Sequence, residues 1–410
     1  MKRPLSDIRV CDLSQNLAGP FCAQILGDLG AEIIKVEPPS GDTARPWGPP
    51  FWGDDSVLFL SVSRNKRSIM LDLKAEEGRE ALRRLIATSD VLVASARVGV
   101  PERLGYDYET ARALRDDIVY LSVTAYGERG PRKNHPGYDP LMQAYAGIMS
   151  VTGHPDGPPA RVGGSVVDFG TGMWGAIAVL GALRSRDRTG EGSKLEISLL
   201  DTSVGWVSYH IMGYLATGEV PGPMGSGLGS IVPYQAFETG DGGSVMIAAG
   251  NDGIFRRLCR ALDAPELAED SRFATNPKRV ALRDELVPVL EEIISGYETD
   301  ELVRVLEEHS VPCSPIQDIA EVAADPQVEA AELIPRATHS QVDEYRDVAI
   351  ALRMDGERPR GVLPPPGPGE HTEEILGELG YDDEEMRALM EKGIAVDARR
   401  GRTADDEAAD

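Results

Sequence analysis

Residues 7–37 read DIRVCDLSQNLAGPFCAQILGDLGAEIIKVE, and the parsing of this stretch decides the fold. DIRVCDLS, residues 7–14, has the apolar, β-branched character of a short strand. AGPFCAQILGDLG follows as a helix, with Pro20 near its first turn, where no intrahelical partner is lost, and Gly30 at its C-terminal stop. AEIIKVE is then a second strand. Strand, helix and strand in so short a span predict a β-α-β unit, whose strands lie parallel because a helical crossover joins them.

The same alternation continues. RSIMLDL, DVLVAS and DIVYLSVTAY read as strands, AEEGREALRRLIATS and YETARALRD as helices. An open, Rossmann-like α/β sheet with helices on its faces is expected. From about residue 140 the pattern turns helical, in DPLMQAYAGIMSVTG and 169–185, before a strand SKLEISLL and a helix over 201–217. TGEVPGPMGSGLGSIVP is too rich in Gly and Pro for a regular element and reads as a linker or mobile loop. Beyond it, YQAFETGDGGSVMIAAG reads as a hairpin, followed by helices over 253–263, 282–296 and 299–308. A second connector, GERPRGVLPPPGPGEH, precedes a helical tail. The expected division is a large α/β domain over 1–220, a smaller α+β domain over 221–335, a C-terminal return segment over 336–398, and a polar, disordered tail over 399–410.

A length of 410 residues suits two or three domains, and 41% apolar residues suffice for a large core. No uninterrupted apolar run approaches the roughly 18 residues of a membrane span. The start, MKRPLSDIRVCDLS, lacks the apolar core and cleavage site of a signal peptide, so a cytoplasmic protein with no membrane partner is expected. Cys11, Cys22, Cys259 and Cys313 lie far apart without a C-x-x-C pair, which argues against a disulfide framework or a metal site. Lys and Arg total 42 against 67 Asp and Glu, a net charge of −25, which argues against nucleic acid as a partner. Only eight of those cations are Lys. Such a surface suits a high-salt cytosol or reflects a GC-rich genome.

Several segments bear on chemistry. Glu37 ends the second strand where a ribose-binding acid would sit, which suggests a dinucleotide-dependent oxidoreductase. The turn SQNLAGPFCAQ, however, lacks the G-x-G-x-x-G that lets pyrophosphate approach the helix. SRNKRSIMLDLK gathers Arg64, Lys66, Arg67 and Lys74, either a patch for a phosphorylated cofactor such as coenzyme A or a strand edge guarded by cations. The six His form no triad or metal set, and no G-x-S-x-G, H-E-x-x-H or P-loop is present. In GGSVVDFGTGMWGAIAVLGAL, residues 163–183, Asp168 stands at the start of an apolar helix. It reads either as a cap for the orphan amides or as a nucleophile, with Gly170 and Gly172 leaving room for a substrate. Asp139, in HPGYDPLMQ, carries the same capping reading.

Taken together, LAGPFCAQILGDLGAEIIKVEPPSGD, LSVSRNKRSIMLDLKAEEGRE, RLGYDYE, GYDPLMQAYAGIMSVTG, VVDFGTGMWGAIAVLGAL and GEHTEEILGELGY resemble the class III CoA-transferases. That family includes formyl-CoA transferase, carnitine CoA-transferase and the α-methylacyl-CoA racemases. The matching segments run in order over nearly the whole chain.

The resemblance implies a transferase that moves CoA from an acyl-CoA donor to a free carboxylic acid, with no permanently bound cofactor and no metal. Asp168 falls on the family's nucleophile, which passes through an aspartyl anhydride and an aspartyl-CoA thioester. Amides at the start of its helix would then serve the tetrahedral oxyanions, and the loop GSGLGS (225–230) would close over the site. Carried over by position, CoA contacts fall on Leu17 and Ala18, on Leu71, Asp72, Leu73 and Lys74, on Ser95, Ala96 and Arg97, and on Arg103. Tyr138 and Asp139 fall beside the reacting acyl group. An interlaced homodimer is implied as well.

The chain has ASARVG where the family commonly shows ENFRPG, and Pro38 where formyl-CoA transferase has an Arg at the nucleotide. Leu17 replaces that relative's Gln, so formyl or oxalyl transfer is not expected. Succinyl-CoA with an acid of the mesaconate, itaconate or malate type is the expected pair. Racemisation of a 2-methylacyl-CoA is an alternative, but it needs a His in the slot of Tyr138, and a phenol of pKa about 10 is a poor base at neutral pH. Intramolecular CoA transfer would use the same Asp168 chemistry.

Overall fold

The computed structural model describes residues 3–339, 341–359 and 363–397. The opening unit forms as read. Strands β1 (Arg9–Leu13) and β2 (Glu32–Glu37) pair in parallel, Val10 beside Ile33, across helix α1 (Ala18–Asp28). Gly19 permits the tight entry into α1, since a Cβ there would stand 2.3 Å from that of Ser14.

Four more strands extend the sheet: β3 (Lys66–Leu71), β4 (Val91–Ser95), β5 (Val119–Thr124) and β6 (Ser193–Ser198). Across it the order is Ala395–Val396, β3, β2, β1, β4, β5, β6, and only the pairing of Ala395–Val396 with β3 is antiparallel. The chain therefore builds outward from β1 to β3, then returns to the other side of β1 with β4. Open α/β sheets bind ligands outside the carboxyl ends of the strands at such a reversal. On one face, α2 (Glu76–Ala87) buries Gly78, Ala81, Leu82, Leu85 and Ile86 at helical spacing against Ile34, Ile69 and Leu92.

The basic segment does not guard an edge, because β3 lies inside the sheet, and three of its four cations are taken up by ion pairs. Lys66 Nζ donates to Asp12 Oδ2 at 3.0 Å and to the Pro20 carbonyl at 2.9 Å. Arg64 grips both carboxylate oxygens of Asp28, at 2.8 and 2.6 Å, and Arg67 reaches Glu32 and Glu378. Of the four cations only Lys74 is exposed.

Helix α3 (Asp139–Tyr145) is shorter than its sequence pattern, because the chain turns at Gly147, φ +88°. Helix α4 (Val166–Thr189) is long and apolar enough to cross a membrane by length and composition. It is instead a core helix, with Gly172 and Gly175 packed on α1. The expected helix over 201–217 is two, α5 (Leu199–Trp206) and α6 (Ser208–Thr217).

Contacts divide the chain into two units at other points than the linkers suggested. One holds the described residues of Met1–Ala146, Gly163–Ser208 and Pro326–Asp410; the other holds Gly147–Val162 and Tyr209–Asp325. In the second, β7 (Tyr234–Glu238) and β8 (Ser244–Ala248) form the expected hairpin, and Cys313–Pro315 adds a third antiparallel strand. Val245 and Ile247 pack with Phe255, Leu258, Leu286, Leu290 and Leu302 from the helices beyond. The Gly225 amide, at the start of the glycine-rich loop, donates to the Gly153 carbonyl at 2.8 Å. The tail expected over 399–410 lies outside the described residues. The four cysteines are free, and burial pushes the thiols of Cys11 and Cys22 far up, which suits inert apolar fillers.

Candidate active site

The start of α4 is capped, but not by Asp168. Its N-cap, Ser165, makes no side-chain cap bond. Asp139, from the first turn of α3, accepts the Val167 amide at 2.8 Å and the Asp168 amide at 3.3 Å on Oδ2. Its other oxygen accepts the Gln143 side-chain amide. Asp139 and Gln143 are both buried. Asp139 thus caps the neighbouring helix rather than its own, whose N-cap is Tyr138.

This arrangement relieves Asp168 of capping. Among the described residues no hydrogen bond reaches its carboxylate, which is half-buried. Burial, with the Asp139 carboxylate nearby, pushes Asp168 up to about 7. A carboxylate so weakly stabilised is more basic, and hence more nucleophilic, than an ordinary aspartate. The expected oxyanion role of the first-turn amides is corrected, because Asp139 occupies those of Val167 and Asp168 and the Ser165 carbonyl that of Phe169.

The helix glycines serve packing rather than substrate access. A Cβ on Gly170 would meet Trp206 at 2.6 Å, and one on Gly172 the Ala18 carbonyl oxygen at 2.6 Å. Gly172→Ala is therefore expected to force α4 from α1 and destabilise the protein by about 1–3 kcal/mol, read as a lower urea midpoint.

Asp168 lines a cavity of about 620 Å³ at the carboxyl ends of β1, β4 and β5, where the sheet order reverses. Leu17, Ala18, Ser95, Ala96, Arg97, Tyr138 and Asp139 share it with Asp168. The other expected contacts do not line it. Leu71, Asp72, Leu73 and Lys74 end β3, two strands from β1, with Leu71 in the core and Asp72 accepting the Lys74 amide at 2.9 Å. Arg103 is exposed on the short helix Val100–Leu104. Ser95 Oγ accepts the Gln15 amide at 2.9 Å, so it clasps the loop after β1.

That loop also rests on buried charge. Lys35 Nζ donates to the Ser14 carbonyl at 3.0 Å and to Asp42 Oδ2 at 2.6 Å, and Asp42 Oδ1 accepts the amides of Ala44 and Asn16. Burial alone would push Lys35 down, but Asp42, Asp12 and Glu37 hold it above the usual lysine range. Glu37 is not free for a ribose. Burial opposes its charge, yet Arg45 binds both its oxygens, at 2.8 and 2.7 Å, and holds it down to about 2. Sequence reading missed Gln15, Asn16, Trp47 and Lys133 in the cavity wall, which no local motif marks.

The carboxyl ends of β1, β4 and β5 thus hold a half-buried aspartate whose carboxylate accepts no hydrogen bond among the described residues, on an α/β fold. CoA-transferase family III matches residues 5–372, and the chain belongs to that family. It is a class III CoA-transferase, whose substrates are CoA thioesters. It is 38% identical to the human succinyl-CoA:glutarate CoA-transferase over 394 residues, 96% of this chain and 90% of that protein. The succinyl-CoA:mesaconate CoA-transferase of Haloarcula marismortui is 35% identical, over 92% of this chain and 97% of that one. A crystal structure of a CaiB/BaiF family protein from Brucella suis superposes with a TM-score of 0.83 at 38% identity, covering 92% of this chain and all of that one.

Removing the like charge beside Asp168 has a testable sign. If Asp168 acts as its carboxylate, kcat is expected to rise with pH through about 7. Asp139→Asn lowers the pKa of Asp168, and the acid limb of the kcat–pH profile should move to lower pH.

Proposed function

We propose that the protein transfers CoA from succinyl-CoA to a small dicarboxylic acid, with Asp168 as nucleophile. The observation that carries this reading is a carboxylate freed from capping and hydrogen bonding at the wall of the switch-point cavity. A carboxylate oxygen of Asp168 attacks the thioester carbonyl carbon, the C–S bond breaks, and CoA leaves as thiolate with the electron pair. The thiolate attacks the aspartyl carbonyl of the mixed anhydride and expels the donor acid as carboxylate, leaving an Asp168–CoA thioester. The acceptor carboxylate repeats both steps in reverse and regenerates Asp168, with no net proton exchange. Arg97, Leu17 and Ala18 bound the thioester end of the CoA chain, and Tyr138 lies beside the acyl group.

The working form in this proposal is a homodimer. Met173, Trp174 and Ile177 of α4 are each about half exposed in the single chain, which supports an apolar face covered by a second copy; in the other unit Tyr209, Met212 and Leu215 of α6 are more exposed still. Sedimentation should give twice the 44.2 kDa chain mass. The reaction is tested by isotope exchange. With succinyl-CoA and labelled succinate alone, label should enter succinyl-CoA without any second acid; an enzyme that transfers hydride or racemises shows no such exchange.

A further inference from the structure

One basic wall of the cavity is used neither by the covalent steps nor by the contacts carried over from the family. The loop from β5 to α3 reads GERGPRKNHPG, residues 127–137, and it brings Lys133 and His135 to the cavity that holds Asp168, Leu17 and Tyr138. Its shape is set before any ligand arrives. The amides of Lys133 and His135 donate to the carbonyls of Gly130 and Arg132, at 3.4 and 2.9 Å. Arg132 stacks on Tyr145 and Tyr126, 4.8 and 5.8 Å from the ring centres, and the two rings meet edge to face at 5.4 Å. Arg132 does not line the cavity, and its charge is held by this aromatic pair. Lys133 is exposed and has no ion pair among the described residues.

The lining mixes apolar side chains, Leu17, Leu58, Val98 and Leu141, with two cations, Arg97 and Lys133, and an ammonium there favours an anion. Two anions of this reaction offer that chemistry: the second carboxylate of a diacid and the phosphates of CoA. The loop that presents Lys133 also presents Tyr138 and, through Asp139, fixes the helix start that carries Asp168. Cation and nucleophile are therefore set by one piece of chain, whereas the phosphates lie a whole pantetheine arm from the thioester.

We infer that Lys133, with His135 beside it, binds the second carboxylate of a dicarboxylic substrate and so selects diacids over monoacids. The inference rests on the transferase reading, and it serves donor and acceptor alike, because both pass through the same cavity in turn.

The test uses the half-reaction in the full-length protein, with succinyl-CoA and butyryl-CoA as a pair that differs in the second carboxylate. The concentration giving half-maximal Asp168–CoA adduct is measured for wild type, Lys133→Met and Lys133→Arg. For Lys133→Met it should rise about 10- to 100-fold with succinyl-CoA, the loss of one charged hydrogen-bond partner, and stay unchanged with butyryl-CoA. Lys133→Arg should retain most of the wild-type preference. An equal rise with both thioesters assigns Lys133 to CoA itself and overturns the inference, as does no rise with either. A wild type that forms no adduct at Asp168 from either thioester overturns the transferase reading instead.

Discussion

Asp168→Asn is expected to lower CoA transfer by at least about 10⁴-fold, the scale seen when a covalent nucleophile is removed, while making the protein more stable at neutral pH. The two effects share one cause. Burial and the Asp139 carboxylate hold Asp168 up at about 7, so the folded state resists its charge. A group raised in this way favours folding in its protonated form. Below the unfolded value near 4 both states are protonated, and the variant gains nothing. As pH rises from about 4 to about 7, the wild type must take up a proton to fold, and the advantage of Asn grows; above about 7 it levels off. With partial exposure to water allowed for, the plateau is roughly 2 kcal/mol. Urea midpoints of the two proteins between pH 4 and 8 measure it. A gap that shrinks with rising pH contradicts the assignment.

Lys35→Met carries the largest expected loss of stability. Lys35 is fully buried, and its partner Asp42 is nearly so. Removing the ammonium leaves Asp42 with an uncompensated buried charge, and breaking one side of such a pair costs about 3–5 kcal/mol. It also frees the Ser14 carbonyl, which anchors the loop carrying Gln15, Asn16, Leu17 and Ala18 into the cavity wall. The Michaelis constant for acyl-CoA is therefore expected to rise. Lys35→Met/Asp42→Asn should recover part of the stability without restoring that constant, and a double-mutant cycle on urea midpoints separates the two terms. Equal recovery of both would show that the pair acts on stability alone.

The sheet was legible because its cues are local. Period-2 and period-3.6 patterns over 7–37 mark β1, α1 and β2 within a residue or two. Helix ends were less so: Gly147 turns the chain at positive φ inside a continuous apolar pattern, and Val207 separates α5 from α6. Charge was misread for a different reason. Lys66 meets Asp12 across 54 positions and Arg64 meets Asp28 across 36, so a cluster that looks like a surface patch along the chain is consumed inside the fold.

The same limit applies at the site. Asp168 was legible as a residue of interest, but its release from capping depends on Asp139, 29 positions earlier. A capping signal in a sequence names a residue and its own helix, not a carboxylate reaching over from the next. The glycines of α4 show the converse error, since Gly170 and Gly172 meet Trp206 and Ala18 rather than a ligand.

The central claim is that the Asp168 carboxylate takes CoA covalently. Wild type incubated with succinyl-CoA, quenched, digested and mapped by mass spectrometry should carry CoA as a thioester on the peptide containing Asp168, and hydroxylamine should convert that residue to a hydroxamate. Asp168→Asn should carry neither. CoA transfer proceeding with no adduct at Asp168, or with an adduct on another residue, would contradict the account.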